Sequence, residues 1–199
     1  MSLWLTSDLH FGHANIIRYC NRPFRDVAHM NAELVRRWNE RVAPGDEVWV
    51  LGDVALGSIP RSLELVRSLH GEKHLVAGNH DRCWEGNRRH ERWVDRYRDA
   101  GFVEIVTQTE IDLGGGTVLP ACHFPYEGDS HDEDRFIPYR PIDDGRWLLH
   151  GHVHDRWRVH DRQINVGCDV WDWAPVAATE VRALVAAPSP STWQAGSHG

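Results

Sequence analysis

Val76-Ala77-Gly78-Asn79-His80-Asp81 decides how the rest of this 199-residue chain is read. Leu75, Val76 and Ala77 look like the end of a short apolar strand, which breaks at a glycine and then sets an amide, an imidazole and a carboxylate in a row. Such side chains suit a core badly and a site well, since loops at strand ends are where rigid scaffolds hold chemistry. Gly-Asn alone is an ordinary turn dipeptide. The same design recurs four more times along the chain, and the repetition carries the weight.

Toward the N-terminus, Glu47-Val48-Trp49-Val50-Leu51 reads as a buried strand that stops at Gly52-Asp53. Leu3-Trp4-Leu5 is another, running into Ser7-Asp8-Leu9-His10. Asp8 and His10 lie two apart, so in extended backbone both face one side. Toward the C-terminus, residues 117–122 lead to His123, and Trp147-Leu148-Leu149 ends in His150-Gly151-His152-Val153-His154. Three imidazoles at alternating positions bring nothing to a core and repel one another when protonated. They point to metal.

Between these strands, Met30, Leu34, Val35 and Trp38 recur at helical spacing, ahead of the turn signal Pro44-Gly45-Asp46. Ser58-Ile59-Pro60 opens a second helix lined by Leu63, Val66 and Leu69. Residues 15–26 read as a loop carrying Arg22 and Arg25, and guanidinium suits bidentate phosphate recognition. Residues 85–100 predict a charged surface helix, and 103–107 with 110–113 two strands around a bend. Gly114-Gly115-Gly116 is a hairpin turn. The acidic segment 127–144 is strandless, a length associated with functional or mobile loops. Strands at 157–160 and 163–166 and a helix at 179–185 follow. Residues 1–187 are expected to form one α/β (α+β) domain and 188–199 a flexible tail.

Composition bounds the function. Hydrophobic residues make up 41% and charged residues 26%, as in ordinary globular proteins, but 14 histidines and 10 tryptophans are an excess. A net charge of −7 disfavours a long nucleic acid as partner, while a small phosphorylated ligand is compatible if cations reverse the sign locally. Four scattered cysteines form no CxxC pair and fit a reducing compartment. No cationic-then-apolar leader and no long apolar run is present, so the cytoplasm is expected, without membrane association.

Collected, Asp8, His10, Asp53, Asn79, His80, His123, His152 and His154 offer oxygen and imidazole donors and no thiolate. That set favours Mn²⁺, Fe²⁺, Zn²⁺ or Co²⁺ over a structural thiolate zinc. It is too large for one ion and right for two if one carboxylate bridges, a geometry that activates water and clamps a phosphoryl group.

Asp8-x-His10, Gly52-Asp53, Gly78-Asn79-His80-Asp81, His123 and Gly151-His152-Val153-His154, in this order, resemble the calcineurin-like metallophosphoesterase superfamily. Phe11-Gly12-His13-x-Asn15, Arg22-Pro23-Phe24 and Asn165-Val166-Gly167 are similar to a small bacterial and phage branch of it. The resemblance implies two packed mixed β-sheets flanked by helices, an αββα sandwich. It implies two divalent ions, manganese foremost: Asp8, His10 and His154 holding one, Asn79, His123 and His152 the other, and Asp53 bridging. A bridging hydroxide would attack phosphorus in line, with His80 assisting the leaving group and Asp81 orienting the His80 region. Cys122, before His123, stands where many members carry a small hydroxyl residue. His13 and Arg22 are candidate substrate contacts.

The expected activity is a phosphodiesterase on cyclic or small nucleotides. A phosphomonoesterase or phosphoprotein phosphatase is the near alternative. A metal-bound interaction scaffold is a rival of another class; such scaffolds lose the histidine or several ligands, and this chain retains them all. Asn79 speaks against a metal store, since a neutral amide weakens binding and makes sense where reactivity is kept.

Overall fold

The computed structural model describes residues 1–187, so the expected tail at 188–199 lies outside the described residues. In chain order its strands are β1 (Leu3–Thr6), β2 (Glu47–Val50), β3 (Glu72–Val76), β4 (Phe102–Val106), β5 (Gln108–Asp112), β6 (Val118–Cys122), β7 (Leu148–His150), β8 (Val159–His160), β9 (Gln163–Asn165) and β10 (Val176–Ala177). The helices are α1 (Ala14–Tyr19), α2 (Val27–Arg41), α3 (Ile59–Arg67), α4 (Glu91–Asp99) and α5 (Ala178–Ala186).

Two five-stranded sheets result, ordered β10-β1-β2-β3-β4 and β5-β6-β7-β9-β8. Strands β1 to β4 run parallel, which requires crossover connections, and α2, α3 and α4 supply them. Strand period sorts the core. Val48, Val50 and Leu75 face the helix side, with Met30, Leu34, Trp38, Leu63, Val66 and Tyr97. Their neighbours Leu5, Trp49, Leu51 and Val76 face the second sheet, against Ile111, Leu119, Ala121, Leu149 and Ile164. Among the described residues the fold is an α/β sandwich of two mixed sheets with five helices.

Because β1, β2 and β3 are parallel, the loops that follow them emerge at one edge of the first sheet. Parallel pairing of β6, β7 and β9 does the same in the second. A parallel bridge between Ser7 and Gly167 joins the two edges directly. Every donor-bearing loop named above therefore opens at this edge.

Several elements depart from the sequence expectation. Residues 14–19, expected within a loop, form α1; it buries only Ile16, so no helical period shows. Strand β3 begins at Glu72, because Lys73 is buried by its aliphatic stem while its Nζ donates to the Leu69 carbonyl at 2.9 Å. The helix expected at 85–100 is confined to Glu91–Asp99. The bend between β4 and β5 is the crossing from one sheet to the other. No helix among the described residues is long and apolar enough to cross a membrane.

His150 ends β7 fully buried, its Nδ1–H donating to the Gly151 carbonyl at 2.7 Å and its Nε2 without a partner among the described residues. Burial pushes its pKa down to about 3. The unfolded chain binds a proton at this side chain near pH ~6.5 and the folded chain does not. Its contribution is therefore complete above that pH and is lost progressively toward pH 3. His150→Asn is expected to show a shallower fall in melting temperature between pH 7 and pH 4 than the wild type, measured by circular dichroism in EDTA.

Candidate active site

Five of the donor residues sit in the left-handed region: Asp8, His10, Asp53, His152 and His154 have φ of 57°, 52°, 55°, 71° and 51°. Each such non-glycine residue costs about 1–3 kcal/mol and persists where surrounding structure over-determines it. Here the surroundings are hydrogen bonds between the loops. The amides of Asp8 and His10 donate to the Gly52 and Asp53 carbonyls at 3.0 and 2.9 Å, tying the first loop to the second. The His152 amide donates to Asp8 Oδ2 at 3.0 Å, and Asn165 bridges the His154 and Trp157 carbonyls at 2.7 and 2.8 Å.

The first set of side chains is Asp8, His10, Asp53 and His154, whose ligating atoms all lie within 4.8 Å of one another. His10 Nε2 stands 3.1 Å from His154 Nε2, 3.9 Å from Asp8 Oδ1 and 3.8 Å from Asp53 Oδ2. Burial lowers the pKa of both imidazoles, that of His154 to about 4, so both rings are neutral near pH 7 and carry a free lone pair.

The second set centres on His123, beside Asn79 and Asp53; His152, expected with them, brings no ring nitrogen within 4 Å of Asp53 and meets Asp129 instead. The Leu51 carbonyl can only accept, so the 2.7 Å contact puts the His123 proton on Nδ1. The bare Nε2 then faces Asn79 Oδ1 at 3.2 Å and Asp53 Oδ2 at 3.5 Å. His152 lies alongside, its ring centroid 5.2 Å from that of His123. Asp53 Oδ2 thus stands between the two sets.

Asp8 and Asp53 are both buried, and among the described residues no lysine or arginine pairs with either carboxylate. Burial and the neighbouring Asp53 drive the Asp8 pKa up. For Asp53 burial raises, but His123, His80 and the His80 amide outweigh it, leaving its pKa lowered. Buried carboxylates facing bare imidazole nitrogens repel unless cations lie between them. The residues present therefore fit divalent metal ions, by the chemistry of the donor set.

His80 differs from the others. Its side chain is 43% exposed, against 1%, 0% and 3% for His10, His123 and His152. Its Nε2 lies 4.0 Å from Asp53 Oδ2, and its amide donates to Asp53 Oδ1 at 2.9 Å. His80 and His13 flank His10, each with a ring distance of 5.5 Å. This is the open face of the cluster.

One expectation needs correction. Arg22, expected at the phosphate, has a fully buried guanidinium engaged elsewhere: its Nε and Nη2 bind Asp169 at 2.7 Å, and it donates to the Asp8 and Leu9 carbonyls at 2.7 and 3.1 Å. It braces the first metal loop from behind, and Arg25 is 78% exposed beside Asp26. Asp81, expected to orient the His80 region, accepts from the Gly78 amide within the turn that carries His80 at 2.9 Å, and also from the amides of Asp53 and Val54 at 2.8 and 3.0 Å. Burial and Asp53 raise its pKa to about 7. It clamps the second loop to the third. Residues that gave no sequence signal are Asp129, 2.9 Å from His152 Nε2, and Asp169 as the partner of Arg22.

Residues 1–171 match the calcineurin-like phosphoesterase superfamily domain, and the chain belongs to that family. It is a metal-dependent phosphoester hydrolase, of a family that uses a dinuclear divalent metal centre. Among its relatives, the Gene 66 protein of Mycobacterium phage L5 is 38% identical over 181 residues, covering 84% of this chain and 86% of its own. The Gene 66 protein of Mycobacterium phage D29 is 36% identical, covering 92% and 96%. Protein MJ1445 of Methanocaldococcus jannaschii is 32% identical, covering 92% and 90%. The crystal structure of AQ665, a protein of unknown function from Aquifex aeolicus, shares the fold, with a TM-score of 0.69 at 23% identity over 92% of this chain and 98% of that one.

A Cβ at Gly78 would collide with Asp53 Oδ1 and lie 2.8 Å from both the Asp53 amide and His123 Nδ1, whereas one at Gly45 would meet nothing within 4 Å. Gly78→Ala is expected to lower the melting temperature by roughly 4–10 °C and to reduce bound metal. Gly45→Ala should change neither, as read by thermal melts and elemental analysis. Wild-type metal content in Gly78→Ala would contradict the packing described.

Proposed function

We propose that this chain is a dinuclear metal-dependent phosphodiesterase acting on small phosphodiesters, cyclic or small nucleotides among them. The observation that carries the reading is the position of Asp53 Oδ2, within 4 Å of His10, His123 and the half-exposed His80 at once. Asp8, His10 and His154 would hold one ion; Asn79, His123 and His152 the other; Asp53 both. Manganese is the proposed metal, with Fe²⁺, Zn²⁺ and Co²⁺ compatible with the same donors. When bound, the ions supply a nucleophilic water at neutral pH and neutralise charge on the phosphoryl oxygens.

The chain's own residues do the rest. His80, on the open face, reaches the leaving oxygen as proton donor or hydrogen-bond donor. His13 flanks the same opening and contacts the substrate. Asp81 and Arg22 keep the metal loops in place from behind. The choice of a diester rests on charge. A diester brings one negative charge where a monoester near pH 7 brings about 1.5–2, and the arginine nearest the site is turned to Asp169. A net charge of −7 likewise favours a small substrate over a long nucleic acid. Action in the cytoplasm, away from membranes, fits four free buried cysteines.

The test is hydrolysis of bis-p-nitrophenyl phosphate against p-nitrophenyl phosphate, with and without Mn²⁺. Metal-dependent turnover favouring the diester is expected, and His80→Ala should lower kcat by about 10²–10⁴-fold while retaining its metal. Preference for the monoester would move the assignment to a phosphatase. Absence of turnover on both substrates, with two ions bound, would favour a scaffold.

A further inference from the structure

The acidic segment 127–144 carries one residue that the metal-site reading does not use. Asp129 has a fully buried side chain, and its Oδ2 lies 2.9 Å from His152 Nε2. Its other oxygen accepts from Arg135 Nε and Nη2 at 3.1 and 2.7 Å and from the His131 amide at 3.0 Å. Arg140, 4% exposed, approaches Oδ2 at 3.5 Å. Two guanidinium groups thus balance this carboxylate, whereas among the described residues none pairs with Asp8 or Asp53. It is equipped to act on the imidazole.

Geometry says what it does there. A carboxylate only accepts, so the 2.9 Å contact places the His152 proton on Nε2 and leaves Nδ1 as the one ring nitrogen with a lone pair. The ring cannot turn away, because Phe124 and Phe136 pack on it with centroid distances of 5.1 and 5.6 Å. Phe136 belongs to the same segment as Asp129 and holds φ at 58°. Its fit against His152 and Trp84 accounts for a left-handed phenylalanine there.

We propose that Asp129 is a positioning residue for the second metal ion: it fixes the Nε2–H tautomer and ring orientation of His152, so that Nδ1 is the ligating nitrogen. The inference rests on the dinuclear reading above. Carboxylates that orient ligating histidines in this way change metal affinity by about 10–100-fold when removed. Such an effect falls on the second ion and spares the first, whose residues do not touch Asp129.

The test counts ions at graded free Mn²⁺ in the full chain and reads the His152 ring nitrogens by ¹⁵N NMR in the Zn²⁺-loaded protein. Wild type should hold two ions and show protonated Nε2. Asp129→Asn should keep the first ion, weaken the second by about 10–100-fold and lose the single tautomer. Arg135→Ala, which removes a loop anchor but leaves Asp129 with Arg140, should still hold two. An Asp129→Asn variant with wild-type affinity for the second ion, or a wild-type His152 protonated on Nδ1, would overturn the proposal. Equal weakening by Arg135→Ala would reduce Asp129 to a loop staple and overturn it too. A wild type holding fewer than two ions would sink the dinuclear reading itself, and this inference with it.

Discussion

One carboxylate oxygen, Asp53 Oδ2, sets the terms for the rest of the molecule. It is buried, unpaired with any lysine or arginine among the described residues, and within 4 Å of imidazole nitrogens from three other loops. An anion in that position costs several kcal/mol unless a cation meets it. The surrounding chain is built to keep it there. Asp81 grips the Asp53 amide, His80 donates to the other oxygen, and Gly52 and Gly78 let the backbone approach where no side chain would fit.

The sandwich makes this arrangement affordable in strain. Five donor residues in the left-handed region represent about 5–15 kcal/mol of unfavourable backbone at the usual cost per residue. That is comparable with the whole stability of a domain, so the compensation must be spread through the fold. It lies in the hydrogen bonds among the loops, the Ser7–Gly167 bridge between sheets, and the two cores on either side of β1, β2 and β3. Stability and site are therefore coupled. A change that loosens the edges where the strands end reaches the metal loops before it reaches either core.

Much of this was legible in the residues. Apolar strands ending abruptly in polar donors, three of them through a glycine (Gly52, Gly78 and Gly151), marked the contributing loops, because strand period and burial force the apolar run and the chemistry forces its abrupt end. The helices around Met30–Trp38 and Leu63–Val66 showed by their spacing. What stayed hidden depended on partners distant in sequence. Arg22 looked like a phosphate ligand, but its guanidinium meets Asp169, 147 positions away. Asp81 could be placed in the His80 region from its neighbours, but its bonds to the backbone 27 and 28 residues earlier could not. Asp129 was one carboxylate in an acidic segment, and nothing local set it apart from its neighbours. Short elements such as α1 and β10 contain too few buried positions to show a period.

The central claim is that Asp53 is shared between two ions, and anomalous diffraction at the manganese edge from crystals grown with Mn²⁺ tests it most directly. The account predicts two peaks about 3.5–4 Å apart, both in contact with Asp53, one beside His10 and His154 and the other beside Asn79 and His123. A single peak, or two peaks of which one does not touch Asp53, would contradict it.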